Sequence, residues 1–282
     1  MNKKIHQGHF ARKRFGQNFL TNQFIIDDIV TTFNPKPDQA ILEVGPGLGA
    51  LTLPICDHIK IMTVVELDRD LANRLATNPT LRSKVIIIQT DVMRINFETI
   101  AKKKGKPIRI IGNIPYNISI PLIFRLFTCS DAIADITFML QKEVADRLST
   151  GSNTKSYGRL SVMSQYHYQI THILTVPPSA FTPSPKVHSN MVCLTPHQQN
   201  PYPICDVKLL NHITRQAFNQ RRKTIRNSLS NLFFDNDFKQ IDINPNCRPE
   251  NISVESYCRL ARRLSEKLSY NDNFSKTMIK LI

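Results

Sequence analysis

The sequence predicts an open α/β fold followed by a small all-helical unit, and three observations carry that prediction. Short β-branched runs recur through the first two-thirds of the chain, at residues 40–44, 61–65, 85–88 and 108–111, and each runs into a glycine or a polar side chain. Stretches with apolar residues at helical spacing separate these runs, the alternation expected of βα units. From Pro196 onward only helical patterns remain, so residues 1–195 read as one domain and residues 196–282 as a second.

Composition narrows the partner. A hydrophobic content of 41% over 282 residues supports a core large enough for one sizeable domain and a smaller one. The formal net charge of +15 points to a polyanion, either nucleic acid or an anionic membrane surface. Apolar runs such as residues 85–88 are far too short to span a bilayer. The six cysteines show no Cys-x-x-Cys spacing and suggest neither a zinc site nor a disulfide framework, so a reducing cytosol is the simplest setting. Lys3, Lys4, Arg12, Lys13 and Arg14 all precede the first acid, Asp27. This segment lacks the serine richness of a transit peptide and the apolar stretch of a secretory signal, and reads as a basic arm of the mature protein.

Taken in order, Phe15-Gly16-Gln17-Asn18-Phe19-Leu20 is by itself only a polar loop. Thr21-Asn22 offers an N-cap to an amphipathic helix carrying Phe24, Ile25, Ile29 and Val30, ended by Pro35 and Pro37. The run 40–44 then enters Gly45-Pro46-Gly47-Leu48-Gly49, directly after Glu43. Such a turn brings backbone close to a ligand, though its Gly-x-Gly-x-Gly spacing is not the dinucleotide fingerprint. Glu66 ends the second strand, where a carboxylate can accept both hydroxyls of a ribose. Asp91 follows the third, where it could accept from an adenine amino group while the Val92 N–H meets a ring nitrogen. Any one of these acids alone suits a solvated loop. Three consecutive units with polar groups at one sheet edge suit a ligand.

The fourth strand delivers Gly112-Asn113-Ile114-Pro115-Tyr116-Asn117 to the same edge. Pro115 fixes the corner, because its φ is locked and it has no N–H. An adenine amino group is a poor nucleophile, since its lone pair is delocalised into the ring. The Asn113 side-chain oxygen and the Ile114 carbonyl could take its two hydrogens and favour a pyramidal nitrogen, with Tyr116 stacked on the base. A plain turn after a strand is the alternative on these residues alone. Residues 101–106 read as a basic exposed loop, 121–127 as a helix, 133–140 as a strand, 141–148 and 160–168 as helices, and 170–176 and 187–194 as strands. The proline-rich loop between the last two strands holds Phe181, either a second aromatic wall or a loop-anchoring hydrophobe.

In the C-terminal part, Val207, Leu210, Ile213, Ala217 and Phe218 give one apolar stripe, continued by Ile225, Leu229, Leu232 and Phe233. Between them lie Arg221, Arg222, Lys223 and Arg226. From Pro196 onward 14 lysines and arginines face 8 acids, a surplus that favours phosphate binding. Ser253 is placed to cap a final helix bearing Tyr257, Leu260, Ala261 and Leu264.

The ordered set resembles the class I S-adenosylmethionine-dependent methyltransferases and, more narrowly, the ribosomal RNA adenine N6,N6-dimethyltransferase family. The resemblance covers nearly the whole chain. It rests on six blocks that begin at Arg14, Glu43, Gly112, Pro177, Gln216 and Arg248, the longest of them Gln216-Ala-Phe-Asn-Gln-Arg-Arg-Lys-Thr-Ile-Arg-Asn-Ser-Leu229. It implies a Rossmann-like seven-stranded sheet with a helical C-terminal domain. S-adenosyl-L-methionine would serve as methyl donor, with no metal. The implied donor contacts are Asn18, Leu20, Gly45, Gly47, Glu66, Asp91, Val92 and Asn113, with residues 15–20 as a lid. Asn113, Ile114, Pro115, Tyr116 and Phe181 would hold the target base, with Phe181 facing Tyr116. Arg221, Arg222, Lys223 and Arg226 would bind RNA. The implied reaction is dimethylation of two adjacent adenosines in the loop of the helix near the 3′ end of 16S, small-subunit, rRNA, within an immature small subunit. The expected setting is a cytoplasmic monomer without membrane contact. The rival readings are a large-subunit rRNA dimethyltransferase and a non-catalytic RNA-binding assembly factor.

Overall fold

The computed structural model describes residues 5–270; Lys3, Lys4 and the segment after Tyr270 lie outside them. The described chain divides into two compact units. One comprises the residues through Ala145 together with Gln169–Pro196, and the other comprises Asp146–Tyr168 together with the residues from His197 onward.

The first unit is built on a seven-stranded sheet. Its strands are β1 (Ala40–Val44), β2 (Met62–Glu66), β3 (Val85–Gln89), β4 (Ile108–Asn113), β5 (Ile133–Gln141), β6 (Tyr168–Val176) and β7 (Ser189–Pro196). The spatial order is β3-β2-β1-β4-β5-β7-β6. Strands β1 to β5 run parallel, and β7 returns antiparallel to β5. Strands β1 and β2 are buried along their whole length, which is why they read as continuous apolar runs rather than as alternation. Strand order reverses between β1 and β4. The carboxyl ends of those two strands therefore open a crevice, the place where open α/β sheets bind ligands.

Helices cover the sheet: α1 (Gln23–Phe33), the short α2 (Thr52–Ile55), α3 (Arg69–Thr77), α4 (Phe97–Lys104) and α5 (Ser119–Phe127). The Asn22 side chain caps α1 by accepting from the Ile25 N–H. The buried stripe of α1 is Ile26, Ile29, Val30 and Phe33, whereas Phe24 points outward at 84% exposure. The apolar count near the helix start favours Phe24, but the i, i+3, i+4, i+7 stripe excludes it. The segment expected as a loop at 101–106 is instead the last turn of α4, which Gly105 ends in a left-handed cap.

Helix α6 (Lys142–Ser149) crosses the boundary between the units. In the second unit α7 (Arg159–His167), α8 (Val207–Asn219) and α11 (Val254–Tyr270) pack on one another, joined by the short helices α9 (Ile225–Ser228) and α10 (Asp235–Gln240). Tyr157, Phe218 and Tyr257 form an aromatic cluster at their centre. The linear division at 195/196 therefore misplaces residues 146–168. Tyr157 and α7 bury their apolar surface with the C-terminal helices, a long-range partnership that composition does not reveal. Ser253 accepts from the Ser256 N–H at the start of α11, as its sequence position suggests.

Candidate functional site

The crevice between β1 and β4 opens into a cavity of about 170 Å³. Its floor is the turn after β1. Gly45 and Gly47 adopt φ of +66° and +59°, which other residues seldom take, and both line the cavity. Gly112, one residue before the end of β4, has no room for a side chain. A Cβ there would lie 2.5 Å from the Val44 carbonyl oxygen, so glycine lets the two strands converge at the crevice.

Acids ring this floor. Glu66 ends β2 with both carboxylate oxygens engaged, one accepting from the Gly47 N–H at 3.1 Å and the other from the Asp68 N–H at 2.8 Å. Each oxygen keeps a second lone pair for a ligand hydroxyl. Burial pushes the Glu66 carboxyl up, and the two backbone donors oppose that shift. Glu43 is 2% exposed and accepts from the Thr52 hydroxyl at 2.6 Å. Burial pushes its carboxyl up to about 8, the Thr52 bond lowers it, and the Glu66 charge raises it further. Asp91 accepts from the Met93 N–H at 2.9 Å. Val92 opens the turn behind it, so its own N–H precedes any bond within that turn.

Asn113 stands at the end of β4. Its Nδ2 donates to the Asn18 carbonyl at 2.8 Å, which leaves Oδ1 as an acceptor. The half-buried Tyr116 hydroxyl shares a 3.0 Å hydrogen bond with the Ser189 hydroxyl, which fixes the direction of the ring. Thus Asn18, Leu20, Gly45, Gly47, Glu66, Asp91, Val92, Asn113, Ile114, Pro115 and Tyr116 are brought together around a single cavity.

Phe181 is not among the residues lining that cavity. It is 4% exposed and packs in the core with Leu20, Ile26 and Ile29, while its backbone pairs with Leu20 in a short antiparallel bridge. Of the two readings open to it in the sequence, its burial in the core matches the loop-anchoring hydrophobe. The short bridge to residues 19–20 ties its backbone beside the lid segment.

The basic block also differs from a helical face. Helix α8 ends at Asn219, and residues 220–223 form an exposed turn before α9, which Thr224 caps. Arg221 is tied to Glu250 at 3.1 Å and to the carbonyls of Lys155 and Tyr157, and Arg226 pairs with Asp235 at 3.0 Å. Arg222 and Lys223 are exposed and make no ion pair among the described residues. Sequence reasoning included Gln17 and Phe19 only as part of the lid at 15–20, and it missed Thr90 as a lining residue and Ser189 behind Tyr116. Nothing local marks Ser189, which meets Tyr116 from 73 residues away.

A family model described as ribosomal RNA adenine dimethylase matches residues 8–266. The chain is 58% identical over 267 residues to ribosomal RNA small subunit methyltransferase A of Photorhabdus laumondii, covering 95% of this chain and 98% of that protein. Its namesake from Klebsiella pneumoniae is 58% identical over 268 residues, with the same coverage. Two solved structures share the fold. A dimethyladenosine transferase from Plasmodium falciparum is 22% identical, with a TM-score of 0.75 over 88% of this chain and 98% of that one. The 23S rRNA methyltransferase ErmE is 23% identical, with a TM-score of 0.63 over 88% of this chain and 100% of that one. With a family model spanning almost all of its described length, the chain belongs to the ribosomal RNA adenine dimethylase family.

Proposed function

We propose that this enzyme dimethylates the N6 amino groups of two adjacent adenosines near the 3′ end of 16S rRNA, acting as a cytoplasmic monomer on an immature small subunit. The observation that carries this reading is the convergence of Glu66, Asp91 and Asn113-Ile114-Pro115-Tyr116 on one cavity at the strand-order reversal. The similarity to small subunit methyltransferases over 95% of the chain supports the choice of particle.

The residues fit an adenosine-bearing donor. The side-chain-free turn at Gly45 and Gly47 admits close backbone approach, Glu66 has lone pairs for two ribose hydroxyls, and Asp91 with the Val92 N–H matches the donor and acceptor on an adenine edge. Asn18 and Leu20 cover the same space. When bound, S-adenosyl-L-methionine supplies a methyl group already attached to a good leaving group. The protein therefore contributes orientation and exclusion of water.

Asn113 Oδ1 and the Ile114 carbonyl accept the two hydrogens of the target amine and keep its lone pair directed at the donor. Tyr116 stacks on the base, an interaction worth about 1–3 kcal/mol. The amine loses its proton after the new N–C bond forms, so no strong general base is required, and water can carry the proton away. The target adenosine must be unpaired or extruded to reach the pocket. Arg222 and Lys223, with Arg221 and Arg226 beside them, meet phosphates and set the register of the RNA.

The test uses purified small and large subunits from cells that lack this protein. Incubation with the full chain and methyl-labelled donor is expected to label the small subunit alone, at two adjacent adenosines. Label on the large subunit, or none on either, overturns the proposal.

A further inference from the structure

One buried acid does not line the cavity and yet touches two parts of the site. Asp68 is 1% exposed and follows Glu66 by two residues. Its backbone N–H donates to Glu66 Oε1, so its main chain holds the carboxylate read as the ribose acceptor. Its side chain points to the N-terminal arm. Oδ1 accepts from Arg12 Nη1 at 2.9 Å, and Oδ2 accepts from Gln17 Nε2 at 3.0 Å. The other Arg12 nitrogen pairs with Asp70, and the Arg12 backbone N–H donates to Gln17 Oε1 at 2.7 Å. The result is a closed ring in which two charge-assisted bonds join residues more than 50 positions apart and a neutral one joins Arg12 to Gln17.

This ring lies immediately before the segment that covers the cavity. Asn18 accepts from Asn113 through its carbonyl. The Phe19 ring lies against the turn, 3.3 Å from where a Cβ on Gly47 would sit, and the His9 and Phe19 rings pack edge to face. Leu20 is strapped to Phe181, and the Thr21 N–H donates to the Ala180 carbonyl at 2.8 Å. The cover is therefore fastened at its downstream end by backbone bonds and at its upstream end by Asp68. Only the upstream fastening depends on side-chain charge.

We infer that Asp68 is a positioning residue for donor binding, holding residues 17–20 over the cavity through Arg12 and Gln17 while its main chain holds Glu66. The inference rests on the reading of this cavity as the donor site. Each adenosine takes two methyl groups, so spent donor must leave and fresh donor enter repeatedly at one target. A cover held by a few charged bonds at one end can open for that exchange without unfolding the sheet edge beneath it.

The test is calorimetric titration of the full chain with S-adenosylmethionine, alongside steady-state methylation of small subunits. Asp68→Asn keeps the cap on α3, because asparagine caps as well as aspartate, while it removes the charge facing Arg12. Arg12→Ala breaks the same ring from the exposed side and disturbs no core residue. Both variants are expected to bind donor about tenfold more weakly, the loss typical of one charged hydrogen bond, and to raise the donor KM with a much smaller change in kcat. Affinity for the small subunit stays as in the parent, and Arg12→Lys recovers part of the loss. Donor affinity within twofold of the parent in Arg12→Ala overturns the inference, whatever Asp68→Asn does, because Asp68 would then act only through Glu66 and α3. If Asp68→Asn does not fold, Arg12→Ala decides alone. Failure of the parent itself to bind donor overturns the donor-site reading, and this inference with it.

Discussion

Replacing Gly112 by alanine would test whether the close approach of β1 and β4 shapes the site. The added Cβ would lie 2.5 Å from the Val44 oxygen, 2.9 Å from Ile114 Cδ1 and 3.3 Å from Val44 Cβ. An ordinary carbon–oxygen contact is about 3.3 Å or longer, so the overlap with the Val44 carbonyl is roughly 0.8 Å. A backbone oxygen cannot rotate away, and β1 and β4 are in register through Leu42↔Ile110 and Glu43↔Ile111, so relief requires the strands to part. Overpacking of this kind costs about 1–3 kcal/mol, and the reduced freedom of the unfolded chain returns about 0.4–1 kcal/mol. The net loss of about 1 kcal/mol lowers the melting temperature by about 2–4 °C. Parting the strands also moves Gly45 against Asn113, which follow the two clashing positions. A displacement approaching 1 Å lowers the single-turnover methylation rate about a hundredfold. Thermal melts and single-turnover transfer on the same preparation check both effects. A Gly112→Ala protein that melts with the parent and transfers at the parental rate would refute the reasoning.

Other outcomes follow from the same geometry. Burial raises Glu43 to about 8 in the folded protein, from 4.5 when free, so the folded state retains a proton that the unfolded chain releases. Its contribution is complete below about pH 4.5 and is lost as pH rises toward 8, about 4–5 kcal/mol across that window. Urea unfolding of Glu43→Gln should therefore show a flatter fall with pH than the parent, and parallel curves would rule out the buried proton. Arg222→Ala combined with Lys223→Ala should reduce the salt dependence of small-subunit binding by about two phosphate contacts, and an unchanged slope in filter binding would remove both from the RNA interface. Tyr116→Ala should weaken subunit binding by roughly 5- to 150-fold through lost stacking, while Tyr116→Phe, which loses only the Ser189 bond, should lose far less. Equal losses in the two variants would place the contribution in the hydroxyl rather than the ring.

Much of this site was legible in the sequence because its parts are local. A β-branched run followed by Gly45, Glu66, Asp91 or Asn113 is a strand end, and parallel strands put those ends on one edge. Features made by distant partners were not legible. Phe181 lies in a proline-rich loop, and its burial in a core shared with Leu20, Ile26 and Ile29 rests on residues about 150 positions away. Residues 146–168 look like a continuation of the α/β pattern until Tyr157 is seen packed on Phe218. Arg221 and Arg226 read as phosphate ligands in a basic run, yet Glu250 and Asp235 already pair with them. The Arg12–Asp68 pair spans 56 positions, and no periodicity reports it.

The central claim is that a pocket centred on Asn113 transfers methyl groups to two adjacent adenosines of small-subunit rRNA. Mass spectrometry of the 3′ fragment of that rRNA tests it most directly, in cells lacking this protein and complemented with the parent or with Asn113→Ala. Both adenosines should be fully dimethylated with the parent. Neither should be modified without the protein, and Asn113→Ala, which removes the acceptor and the tie to Asn18, should restore little or nothing. Two dimethyladenosines in the uncomplemented cells, or full modification by Asn113→Ala, would contradict the account.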